Sequence, residues 1–116
     1  MAFVDATGAL VELNVVASAG YNEDWVYEDA DGSAFDLTGY TITCFLKDMR
    51  GDKCIRTKSI GITVTDAENG QFDFIIPSTE FTYEEGTDQS YELILIDSSG
   101  NREALASGPI YVKEVL

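Results

Sequence analysis

Carboxylates and phenols are the abundant groups in this chain with a capacity for chemistry. There are 21 Asp and Glu and six Tyr, against 7 Lys and Arg, two Cys and no His. Two carboxylates can act as acid and base, but only when they flank a cleft at a defined separation. The missing imidazole removes the commonest general base, metal ligand and pH switch. The sequence holds no Gly-x-Ser-x-Gly, no Cys/His dyad and no phosphate-cradling glycine loop. Most ways of activating a nucleophile fail without histidine. The expectation is that the protein is not an enzyme.

Three constellations invite a binding reading. The run Asp29-Ala-Asp-Gly-Ser-Ala-Phe-Asp36 has oxygens at alternating positions, as a Ca²⁺ loop does. It lacks the bidentate Glu that closes such a loop, and Asp31-Gly32 is explained by a tight turn. No metal and no cofactor are expected. Trp25 with Tyr21, Tyr27 and Tyr40 has the composition of a sugar-stacking platform, against the alternative that Trp25 is core. The third is electrostatic. Lys47, Arg50, Lys53, Arg56 and Lys58 are five of the seven basic residues and fall on one hairpin. They make either a charged edge that keeps a sheet soluble or a docking patch for an acidic neighbour, including another copy of the chain.

The formal net charge of −14 argues against nucleic acid and anionic membranes as partners, since both need clustered cations. No stretch approaches the roughly 20 apolar residues of a membrane span. The opening Met-Ala-Phe-Val-Asp lacks the basic n-region of a signal peptide, so synthesis and folding in a cytoplasm are expected. At 116 residues and 45% hydrophobic, the chain is expected to form one domain, residues 1–116, with its own core.

The elements that position these residues are short, alternating and separated by turn signals, which is an all-β pattern. Strands are expected over 9–17, 23–28, 41–47, 53–58, 60–65, 71–76, 89–96 and a last one over 101–115 bulged at Gly108-Pro109. Ile42, Cys44 and Leu46 share one face, and Thr43, Phe45 and Lys47 the other. A short helical turn is expected between Pro77 and Gly86. A two-residue turn at Arg50-Gly51 would set Cys44 opposite Thr57 and Cys54 opposite Lys47, on opposite faces. A disulfide needs both on one face with Cα atoms within about 7 Å, so free thiols are expected. The natural solution is an immunoglobulin-like two-sheet sandwich of seven to eight antiparallel strands.

The order of several elements resembles a family. The run from Asp24 through Trp25 and Asp31-Gly32 to Asp36-Leu-Thr-Gly-Tyr40 is similar to the N-terminal domain of tailed-phage baseplate upper proteins. So are Asn69-Gly70, the pause at Pro77 to Glu80, Tyr91-Glu-Leu-Ile-Leu-Ile-Asp-Ser-Ser-Gly100 and Gly108-Pro-Ile-Tyr-Val112. The block itself reads as structural: Asp36 caps an Asx-type turn, Leu37 plugs the core, Gly39 supplies an unusual backbone angle, and Tyr40 opens the next strand. The resemblance implies a virion structural protein, a tail or baseplate adaptor whose partners are other virion proteins and itself. A capsid decoration or head-fibre anchor is the alternative, and a carbohydrate-binding module a second one.

Overall fold

The computed structural model describes residues 2–5, 9–16, 18–81 and 86–113. Nine strands account for most of them: β1 (Ala2–Asp5), β2 (Ala9–Leu10), β3 (Leu13–Val16), β4 (Tyr21–Glu28), β5 (Thr41–Arg50), β6 (Lys53–Asp66), β7 (Gln71–Ile76), β8 (Thr87–Ile96) and β9 (Arg102–Lys113). Single 3-10 turns lie at Ala67–Asn69 and Ser78–Glu80. The latter is the described part of the expected helical turn; residues 82–85 fall outside the described set, as do the expected strand ends at Ala17 and Val115.

The strands follow one hydrogen-bonded path, β1-β4-β7-β6-β5-β8-β9-β2, with β3 also on β9. The all-β expectation holds. The all-antiparallel expectation does not: β1 runs parallel to β4, and β2 and β3 run parallel to β9. The reason lies in the N-terminal chain. Its first segment pairs along β4 and its next segments along β9, so one direction of travel covers both ends of the strand path. β1 also touches β9, which brings the path near to a closed barrel.

β6 is shared between two neighbours, β5 and β7. The two short strands expected over 53–58 and 60–65 are one strand of 14 residues. Its first part pairs with β5, from Lys53 to Ile62, and its last part with β7, from Thr63 to Asp66. The β5–β6 turn also departs from expectation. It uses Gly51-Asp52, with Gly51 at φ +63°, because glycine alone enters that region cheaply. Ile55 then bulges, so Cys54 faces Met49 and Cys44 faces Ile60. Both cysteines are free, Cys44 buried and Cys54 exposed. Burial pushes the Cys44 thiol up to about 12, so it acts as a small apolar core residue.

The bulge expected at Gly108-Pro109 lies instead at Leu105, where the β8–β9 register shifts and Leu105 and Ala106 are both buried. Gly108 answers a different need: a Cβ there would meet the Val11 carbonyl oxygen at 2.2 Å. That carbonyl accepts a 2.6 Å hydrogen bond from the Tyr91 hydroxyl. The core runs from Trp25, Tyr27, Phe72 and Phe74 at one end through Ile42, Leu46, Leu93 and Leu95.

Candidate functional site: the basic hairpin

The Asp36–Tyr40 block forms as its residues dictate. Asp36 Oδ1 accepts from the Thr38 amide at 2.9 Å and from its hydroxyl at 2.6 Å, which holds the Asp36 carboxyl below its usual range. Leu37 is 1% exposed, and Gly39 sits at φ +84°. The Leu37 amide donates to the Ala67 carbonyl at 2.7 Å, docking the block on the β6–β7 connection. Tyr40 stacks edge-on against Phe35 one residue before β5 begins. These bonds hold the chain between β4 and β5 against the Ala67 turn.

Trp25 is fully buried and donates its Nε1 proton to the Tyr21 hydroxyl at 3.0 Å. That hydroxyl in turn donates to Glu23 at 2.6 Å, and burial with this bond raises the phenol well above its ordinary value. Trp25 and Tyr27 offer no face to a sugar, which overturns the platform reading. Asp31 is turned into its own tight turn, accepting from Ser33. Among the described residues no three metal-ligating side chains converge.

The five cations of the hairpin divide into two groups. Arg56 and Lys58 face inward on β6 and neutralise buried acids. Arg56 lies 2.9 Å from Glu80 and 3.6 Å from Asp48, and Lys58 pairs with the other Glu80 oxygen. Gln89 closes the cluster, donating to Asp48 Oδ1 and the Glu80 carbonyl, both at 3.0 Å. Asp48, Glu80 and Gln89 are the buried polar residues of the described core. The hydrogen bond from Lys58 holds the Glu80 carboxyl below its ordinary value, with the Arg56 charge assisting. These two cations therefore compensate the acids that enter the core.

Lys47, Arg50 and Lys53 remain on the surface. Arg50 reaches Thr87 on β8 at 3.4 Å. Lys47 projects from the outer face of β5 into a shallow trough of about 760 Å³, floored by Phe45 and walled by Ser59, Ser90 and Glu92, with Leu10 at its rim. Sequence reasoning missed this trough. Its signal was present in the outward set Thr43, Phe45 and Lys47, where one aromatic stands among polar neighbours.

No family model matches the chain, and no curated protein sequence matches it. Its fold is similar to that of the N-terminal domain of phage TP901-1 ORF48. The superposition has a TM-score of 0.56 and 9% sequence identity, over 96% of this chain and 94% of that one. At that identity the likeness is one of fold.

Proposed function

We propose that this chain is a non-enzymatic structural protein of a phage virion, a tail- or baseplate-associated adaptor working through protein–protein contacts. The observation that carries the reading is the fold likeness to a phage protein domain over nearly the whole of both chains. The order of the Asp36–Tyr40, Pro77 and Tyr91–Gly100 elements supports it. The strands that share β6 are then an immunoglobulin-like sandwich closed towards a barrel, with β3 lying beside the last strand, β9. The surface of the β5–β6 hairpin is the docking face, carried by Lys47, Arg50 and Lys53. The partners are other virion proteins, and the location is the particle.

Quantitative mass spectrometry of purified particles tests this. A low, fixed copy number per particle supports a tail or baseplate position. Copies in proportion to the capsid protein move the assignment to the head. Absence from washed particles removes the virion reading.

A further inference from the structure

β6 is unlike the strands beside it. β5 and β8 bury alternate residues along their length, whereas β6 has no buried residue from Lys53 to Asp66. The cause is topological. β7 leaves β6 after the Thr63–Asp73 pair, so among the described residues no strand lies on the second side of β6 from Lys53 to Ile62. The inward side chains along this seam, Ile60 and Ile62, pack against the core yet stay half-exposed. Ile55 bulges at one end. From Arg56 to Ile62 the strand runs without further bulge or proline, so the backbone groups that no described strand pairs can take a partner strand.

We propose that the free edge of β6, Arg56–Ile62, accepts an extended acidic segment of a neighbouring protein as an added strand. The inference deepens the structural reading above and rests on it. The added backbone completes the hydrogen bonds that β6 leaves open, and alternate apolar side chains of the guest cover Ile60 and Ile62. Charge selects the guest. Lys47 and Lys53 are exposed and make no ion pair with a described residue. From Lys53 to Thr65 the strand carries three cations and no acid. A second copy offering its own β6 would set two basic strands side by side, and each whole chain carries −14. An acidic guest meets neither obstacle.

The test uses the full chain and an eight-residue peptide alternating valine and glutamate, with a valine–lysine peptide as control. Amide exchange read residue by residue is expected to slow over Arg56–Ile62 with the acidic peptide and not with the basic one. The double variant Lys47→Glu/Lys53→Glu, whose side chains hold nothing in the fold, is expected to melt like the parent and bind the acidic peptide about tenfold or more weakly. Unchanged exchange at β6, protection elsewhere, equal binding of both peptides, or undiminished binding by the variant overturns the proposal. So does concentration-dependent protection of β6 without peptide, which assigns the edge to a second copy. Particle copy number is read separately, so loss of the virion reading and loss of the strand-addition reading are told apart.

Discussion

The two ends of the core are closed by opposite means. At the β4–β7 end, Trp25 packs against Phe72 and Phe74 with ring centroids 6.0 and 5.2 Å away, and Tyr21 meets Phe74 edge-on at 5.2 Å. At the hairpin end, Asp48 and Glu80 enter the core and are met there by Arg56, Lys58 and Gln89. The outer surfaces reverse the pattern. Outside the aromatic cluster, Asp24 and Asp73 face each other across strands, and neither makes an ion pair among the described residues. Aromatic packing needs no neutral partner, so that cluster leaves its carboxylates outside in water. A buried acid must be paired, so the hairpin end draws its cations inward and keeps a more polar seam. The end built on burial is the rigid scaffold, and the end built on compensation is the one left with an open edge.

Removing the largest aromatic strikes the first end hardest. Trp25→Ala empties a fully buried site and is expected to cost about 4 kcal/mol by chemical denaturation. A cost below about 1 kcal/mol would show that the aromatic end is not the scaffold.

Glu80→Gln tests the second end. It leaves Arg56 and Lys58 without their shared acid and is expected to cost about 2 kcal/mol, between the values for exposed and buried pairs because both cations are partly solvated. The pH dependence has a definite sign. The folded-state pKa of Glu80 lies below the ordinary 4.5. Its stabilisation is therefore full above that value and is lost as pH falls through the lower folded one. The gap between parent and variant should close on acidification below that range; a gap that is constant with pH would mean the charge is not what Glu80 contributes.

Asp73→Asn is the smallest change and goes the other way. The Asp73 carboxyl is pushed up, first by its hydrogen bond with Asp24 and then by desolvation and repulsion. With a raised folded pKa, the favourable protonated form is present below the ordinary value and lost as pH rises through the raised one. At neutral pH the variant should melt slightly higher than the parent, and the advantage should vanish in acid. A lower melting temperature at neutral pH would contradict the like-charge account of that surface.

Much of this contrast was legible in the chain. The inward set Ile42, Cys44 and Leu46 followed from strand alternation, and the Asp36 turn followed from its residue types. Free cysteines also followed, although the register behind that reading was wrong. Gly51 moved the turn by one residue, and the Ile55 bulge moved the ladder again. Turn choice is local, but a bulge depends on what both strands pack against, so alternation alone does not reveal it. The joining of 53–58 and 60–65 into one strand was hidden by the change at Ser59 from a basic to an apolar stretch, which the strand runs straight through. The division of the hairpin cations was equally hidden. Glu80 reaches Arg56 from 24 residues away, and nothing local announces that pairing.

The path of the strands also sets an order in time. β5, β6 and β7 are neighbours in sequence and in space, so their ladders can close as soon as each turn forms. β3 cannot: Leu13 pairs with Ile110, in the last strand of the sequence. Until β9 exists, the apolar residues Leu13 and Val15 have no sheet to join. Pulse-labelled exchange during refolding should find the β5–β6 amides protected before those of β3. β3, made early, is thus expected to settle late, on the strand that is made last.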